Sequence, residues 1–143
     1  MRSENAIYGG EMSAHHYFRD FAFCDSGMIP WLLVCELLSQ TRSTLSALVA
    51  ERIRLYPCSG EINFKVRHVG EALLSIRSHF VPDNPVMDET DGLSMDFATW
   101  RFNLRGSNTE PLLRLNVESR GDANLVQQKV DAIASLIQAL STD

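Results

Sequence analysis

The sequence predicts an α+β fold, with helices on one face of an antiparallel sheet, preceded by the tail of a larger domain. Three consecutive short runs after residue 92 alternate apolar and polar residues, as half-buried strands do. Apolar residues recur at helical spacing before and after these runs. Near the start lies a helix that is apolar around most of its circumference, with too little strand sequence before it to bury it.

Residues 1–40 are therefore expected to be the incomplete tail of a larger domain. The residues before Gly9-Gly10 predict a strand that ends in a turn at the two glycines, and "HYFRDFAF" predicts another strand. Asp25 or Ser26 is expected to cap the helix that contains "MIPWLLVCELL". Because this helix is apolar all round, we expect it to be largely buried.

Residues 41–143 are expected to form a self-contained domain with the order helix, strand, helix, three strands, helix. Ser43 or Thr44 can cap the first helix, and Asp122 the last. The run "EINFKVR" alternates as a half-buried strand, and "VPDNPVMDETDG" is expected to be a loop. Sequential strands joined by short turns imply an antiparallel sheet covered by helices on one face.

The composition is that of an ordinary globular chain and excludes several classes of function. Of the 143 residues, 45% are hydrophobic and 22% charged, and the formal net charge of −5 disfavours nucleic acid and anionic membranes as partners. Three cysteines without C-x-x-C spacing predict free thiols. The first residues do not resemble a signal peptide, and the apolar run "MIPWLLVC" is too short to cross a bilayer, so we expect a cytoplasmic location.

The stretch "RGSNTEP", residues 105–111, lies between two predicted strands and carries several anion-binding groups. Arg105 offers a planar guanidinium that can bind two phosphate oxygens, while Ser107, Asn108 and Thr109 offer neutral donors. Gly106 is expected to let the backbone turn tightly, with N–H groups directed at the same anion. The same composition also fits an ordinary polar hairpin turn.

A second stretch, "GGEMSAHHYF", combines a carboxylate with a hydroxyl two residues later. In an extended segment Glu11 and Ser13 point to the same side and can bind neighbouring hydroxyls of a sugar. A solvated carboxylate at a strand end is the alternative. His15 and His16 point to opposite faces of a strand, so they are a poor chelating pair, and we expect no metal site.

Together "YGGEMSAHHYF" and "LRGSNTEPLLRLNVES" resemble the sugar-binding and phosphate-binding loops of the bacterial α-D-phosphohexomutases, on the phosphomannomutase side of that family. "FRDFAFCDSGMIPWLLVCELLS" and "TDGLSMDFATWRFNLR" extend the resemblance over nearly the whole chain. It implies that residues 1–40 are the tail of the sugar-binding third domain, an α/β domain, and residues 41–143 the C-terminal phosphate-binding domain. The helix that lacks a sheet would then belong to the third domain.

The resemblance implies a parent enzyme that interconverts mannose 6-phosphate and mannose 1-phosphate through a hexose 1,6-bisphosphate. In the family a phosphoserine of the first domain transfers the phosphoryl group, and an Asp-rich loop of the second domain binds Mg²⁺. This sequence contains neither loop, so we expect no catalytic residue, no metal ligand and no mutase activity in this chain without the missing N-terminal domains.

Carried over position by position, the resemblance assigns sugar hydroxyls to Glu11, Ser13 and His15. It assigns the non-reacting phosphate to five positions of the second loop: Arg105, Gly106, Ser107, Asn108 and Thr109. Ala14 departs from the glycine that is usual in the family's first loop. The alternatives are a phosphoglucomutase-type fragment, a stand-alone phosphosugar-binding module without catalysis, and a truncated gene product without function.

Overall fold

The computed structural model of the chain describes residues 1–11, 13–107 and 110–141. The chain divides into two compact units, Met1–Leu48 and Val49–Asp143. Helix α2 (Leu45–Leu55) begins in the first unit and ends in the second. The domain boundary between residues 40 and 41 that we expect from the sequence stays a prediction.

The first unit contains a small antiparallel sheet and one helix, α1 (Met28–Thr41). The sheet has the order β1 (Tyr8–Gly10), β2 (His16–Phe18) and β3 (Cys24–Asp25), with a 3₁₀ helix, Arg19–Phe21, between the last two strands.

The predicted turn at Gly9-Gly10 is wrong, because both glycines belong to β1. Gly9 pairs with Tyr17 and Gly10 with His16 in the ladder. A Cβ on Gly10 would lie 2.7 Å from the Tyr8 hydroxyl, so the absent side chain makes room for an aromatic neighbour.

Helix α1 is exposed rather than largely buried, so this expectation is also wrong. It contains no buried residue, and Trp31, Leu32 and Leu33 each keep more than half of their surface. The strands of the first unit are two or three residues long, and so small a sheet cannot cover a helix that is apolar all round.

The second unit is built on a five-stranded sheet with the order β4-β8-β7-β6-β5, in which every neighbouring pair is antiparallel. The chain order is β4, α3, β5, β6, β7, β8, α4. In the same order, these elements comprise Ile62–Lys65, Val69–Phe80, Val86–Asp88, Leu93–Asp96, Trp100–Gly106, Leu112–Ser119 and Ala123–Ser141. The α+β architecture predicted from the sequence is confirmed.

One face of this sheet forms the core with α3 and α4. The buried residues of β8 alternate with half-buried ones, and they join the apolar stripes of both helices in one cluster. The opposite face is polar. We call it the polar face, and its residues on β4, β7 and β8 are Asn63, Lys65, Arg101, Asn103, Arg105, Arg114, Asn116 and Glu118.

Two predicted helix caps are confirmed, and one loop prediction is wrong. Thr44 Oγ1 accepts from the Ala47 N–H at 3.2 Å, and Asp122 Oδ1 accepts from the Leu125 N–H at 3.0 Å. The predicted loop over residues 81–92 contains a 3₁₀ helix and β5. Strand β5 is a three-residue edge strand next to a proline, too short to show an alternating pattern.

Candidate functional site

Two backbone hydrogen bonds join the described residues between β1 and β2 in a turn. The Glu11 N–H donates to the His15 carbonyl at 2.9 Å, and the Ala14 N–H donates to the Glu11 carbonyl at 3.0 Å. Ala14 adopts a φ of +65°, in the left-handed region that favours glycine. This backbone conformation explains in physical terms why glycine suits this position.

The carboxylate of Glu11 is the centre of a small hydrogen-bond network. The Ser13 hydroxyl donates to Oε2 at 3.1 Å, and the Tyr17 hydroxyl donates to Oε1 at 2.9 Å. The Glu11 bond raises the pKa of the Tyr17 phenol above its usual value. Glu11 and Ser13 therefore lie together, but through a turn and not in the extended segment expected from the sequence. Each carboxylate oxygen keeps a second lone pair for a further donor.

Tyr17 is a member of this network that sequence reasoning missed. It stands two residues after His15, and this spacing places both side chains on the same face of an extended segment. The two rings have centroids 6.5 Å apart. The alternation of side chains along "HHYF" could have placed Tyr17 on the same face as His15 from the sequence alone.

His15 is paired with Asp25, which faces it from β3. The distance from His15 Nδ1 to Asp25 Oδ2 is 2.6 Å, and Asp25 Oδ1 accepts from the His16 N–H at 2.9 Å. The hydrogen bond and charge of Asp25 raise the pKa of His15, and the same bond lowers the pKa of Asp25. Of the two predicted caps for α1, it is Ser26 whose hydroxyl accepts a helix N–H, that of Ile29 at 3.3 Å.

The neighbouring His16 points elsewhere. Its Nδ1 lies 2.6 Å from the Tyr8 hydroxyl, so the two histidines have different partners, as expected for adjacent residues of a strand. Among the described residues, no group of three or more His, Cys, Asp or Glu side chains could hold a metal ion. The part of the chain that the structure describes therefore offers no ligand set for the magnesium ion that the resemblance implies for the parent enzyme.

The second stretch of interest connects β7 to β8. Gly106 is the last residue of β7, opposite Leu113, rather than part of a tight turn as expected. A Cβ at Gly106 would lie 2.8 Å from Val69 Cγ1, so the glycine allows a close approach to the first residue of α3. The Ser107 N–H donates to the Leu112 carbonyl at 2.8 Å and closes the end of the ladder.

The two remaining predicted phosphate-binding residues, Asn108 and Thr109, lie outside the described residues. Arg105 is placed on the polar face, one residue before the end of β7. Its Nη2 lies 3.3 Å from Glu61 Oε2, and its Nη1 lies 3.4 Å from Asp91 Oδ2. The guanidinium beside the loop thus contacts two carboxylates that sequence reasoning missed.

Gly92 places the turn that carries Asp91 against Arg105. Its φ is +77°, and a Cβ there would lie 2.7 Å from the Leu104 carbonyl oxygen and 2.6 Å from Arg105 Cβ. Only glycine combines this conformation with so close an approach. Asp91 and Gly92 therefore form a turn at the end of the stretch that the sequence predicts as a loop.

No helix among the described residues is both long and apolar enough to cross a membrane.

Comparison with known proteins gives two matches in chain order. Residues 1–56 match the alpha/beta/alpha domain III of phosphoglucomutase/phosphomannomutase, and residues 61–136 match the C-terminal domain of the same family. A solved phosphoglucomutase/phosphomannomutase family protein from Burkholderia thailandensis superposes with a TM-score of 0.66 at 23% identity. This likeness covers 96% of this chain and 30% of that one, and it supports the fold alone.

Curated relatives are much closer in sequence. The chain is 59% identical to the phosphohexose mutases of Xanthomonas campestris over 138 residues, and 57% identical to the phosphomannomutase of Salmonella typhimurium over 137 residues. Each alignment covers 96% of this chain, which spans only about 30% of the relatives' length. The matches to both domains, in this order, show that the chain belongs to the phosphoglucomutase/phosphomannomutase family.

Proposed function

We propose that this chain supplies the sugar-hydroxyl and phosphate contacts of a phosphomannomutase that interconverts mannose 6-phosphate and mannose 1-phosphate. Relatives named phosphomannomutase, such as those of Salmonella typhimurium and Vibrio cholerae, support this proposal at 57% and 55% identity. The reaction proceeds through a hexose 1,6-bisphosphate. Residues outside this chain would hold the phosphoserine and the Mg²⁺ that supply the phosphoryl transfer, and no step of it is assigned to this chain.

The observation that carries the proposal is the environment of Arg105. Its two terminal nitrogens each lie within 3.4 Å of a carboxylate oxygen, so this position already attracts anionic oxygen atoms. A phosphate group offers three such oxygens, and a planar guanidinium matches two of them at once. Arg105 therefore binds the phosphate that does not react, together with Gly106, Ser107, Asn108 and Thr109.

The sugar contacts are assigned to the turn of the first unit. Glu11 accepts protons from neighbouring hydroxyls, and Ser13 offers a hydroxyl that can both donate and accept. His15, held by Asp25, directs its other ring nitrogen away from that carboxylate and donates to a sugar oxygen when protonated. These groups orient the hexose and perform no bond-breaking step.

A titration of the 143-residue chain with mannose 1-phosphate, followed by amide NMR, tests both assignments. We expect shifts at the amides of residues 105–107 and 11–15, with inorganic phosphate reproducing only the first set. A shift pattern that leaves residues 105–107 unchanged would contradict the phosphate assignment. Parallel titration with glucose 1-phosphate tests the phosphoglucomutase alternative, in which the two sugars bind equally well.

A stand-alone phosphosugar-binding module is the second candidate function. It is favoured by the second unit, which has a core of its own between the sheet, α3 and α4. Saturable binding of mannose 1-phosphate at physiological concentration by this chain would support the module. Binding too weak to saturate, together with no turnover, is expected for part of a larger enzyme.

A further inference from the structure

Two arginines face each other across the polar face near the proposed phosphate loop. Arg105 of β7 and Arg114 of β8 are direct partners in the antiparallel ladder. Like charges directly opposite each other destabilise such a pair unless another group neutralises them. Glu61, one residue before β4, supplies that group and is the least exposed member of the cluster, with 19% of its side chain exposed.

The carboxylate of Glu61 spans both arginines with different oxygen atoms. Its Oε2 lies 3.3 Å from Arg105 Nη2, and its Oε1 lies 3.9 Å from Arg114 Nε. That Nε atom is buried and has no hydrogen-bond partner among the described residues, so Glu61 holds Arg114 through charge. Without Glu61 the two guanidiniums would repel each other at the end of the sheet.

Asp91 contacts the same guanidinium in a different way. Its Oδ2 lies 3.4 Å from Arg105 Nη1, but 78% of its side chain is exposed and it stands on a turn. An exposed ion pair of this kind contributes little and is easily exchanged for another anion. Glu61 is therefore the fixed partner of Arg105, and Asp91 the exchangeable one.

We propose that Glu61 is a positioning residue of the phosphate site and that Asp91 is an internal anion which phosphate displaces. Glu61 ties Arg105 to Arg114 and fixes the plane of the Arg105 guanidinium. An incoming phosphate then takes the place of the Asp91 carboxylate at Nη1. The inference rests on the proposed phosphate contact of Arg105.

Two substitutions that remove the same charge test this arrangement. Glu61→Gln and Asp91→Asn each delete one negative charge near Arg105, so long-range electrostatics alone predicts tighter phosphate binding for both. We expect opposite results for inorganic phosphate titrated into the chain at low ionic strength. Asp91→Asn should tighten binding about threefold, and Glu61→Gln should weaken it about fivefold, in the range of exposed to partly buried ion pairs.

A second measurement separates positioning from binding. Relaxation of the Arg105 Nε–H resonance without ligand should report an ordered side chain in the wild type and Asp91→Asn, and a mobile one in Glu61→Gln. Glu61→Asp keeps the charge and should retain more binding and more order than Glu61→Gln. If Glu61→Gln does not fold, Glu61→Asp replaces it as the variant in which the position of the carboxylate is altered.

The outcomes distinguish this inference from the proposed function. If the amide and side-chain resonances of Arg105 in the wild-type chain do not shift when phosphate is added, the proposed function is overturned. The proposed displacement of Asp91 is then overturned with it. The tie formed by Glu61 is overturned if Arg105 stays equally ordered in Glu61→Gln. It is also overturned if both charge deletions tighten phosphate binding alike.

Discussion

The Nδ1 atom of His15 lies 2.6 Å from Oδ2 of Asp25, across the small sheet of the first unit. The second oxygen of Asp25 accepts from the backbone N–H of His16, so the carboxylate is fixed at two points. The bond to Nδ1 determines which ring nitrogen of His15 remains available to a ligand.

This pairing predicts a pH-dependent interaction with a defined window. The pKa of His15 is raised above 6.5 and that of Asp25 is lowered below 3.8, in each case first by their shared hydrogen bond. The stabilisation from the pair is therefore present between pH 3.8 and 6.5. It is lost as the pH rises through the raised pKa of His15 or falls through the lowered pKa of Asp25.

An NMR titration of the His15 imidazole checks this prediction. Asp25→Asn should lower the midpoint towards the ordinary histidine value, because the charged partner is removed. Asp20→Asn is the matched control, since the Asp20 carboxylate pairs with Arg19. A midpoint that is the same in Asp25→Asn and the wild type would show that the pair does not form in solution.

Gly92 provides a prediction about the position of Arg105. In Gly92→Ala the backbone must keep a φ of +77°, which an alanine rarely adopts, and the new Cβ overlaps the Leu104 carbonyl and Arg105, so the turn must move. Gly121 has a similar φ of +82° but no heavy atom within 4 Å of its added Cβ. Gly121→Ala therefore measures the cost in unfolding free energy of placing alanine at a positive φ. Gly92→Ala adds to it the cost of the steric overlap.

Urea unfolding of the two variants measures this difference. We expect Gly121→Ala to lower the free energy of unfolding by about 1 kcal/mol. Gly92→Ala should lower it by about 3 kcal/mol and shift the Arg105 amide resonance. Equal losses in the two variants would mean that the close approach of Gly92 to β7 has no energetic consequence.

The elements with a strong periodic signal were predictable from the sequence. Leu113, Leu115 and Val117 alternate in β8, and all three are buried in the sheet as their spacing indicates. Strand β5 and the extended Gly9-Gly10 pair were not predictable. Their conformation is fixed by pairing with neighbouring strands and not by local composition.

Within the candidate site, the sequence predicts that Glu11 and Ser13 lie close together, but it does not predict the partners of His15 and Arg105. Glu11 and Ser13 lie two positions apart, and the hydroxyl of one does contact the carboxylate of the other. Asp25 is ten residues from His15, and Glu61 is 44 residues from Arg105. Such contacts depend on strand register, which a local pattern does not determine.

The contribution of Arg105 to turnover is the most direct test of the claim that its loop binds the non-reacting phosphate. The measurement is kcat/KM for mannose 1-phosphate in a full-length phosphomannomutase that contains this chain. Arg105→Ala should lower kcat/KM about 30- to 1,000-fold, equivalent to about 2 to 4 kcal/mol of lost transition-state stabilisation. Arg101→Ala removes an arginine from the same strand and face, paired with Glu118, and should leave kcat/KM near the wild-type value. An unchanged kcat/KM in Arg105→Ala would contradict the phosphate assignment.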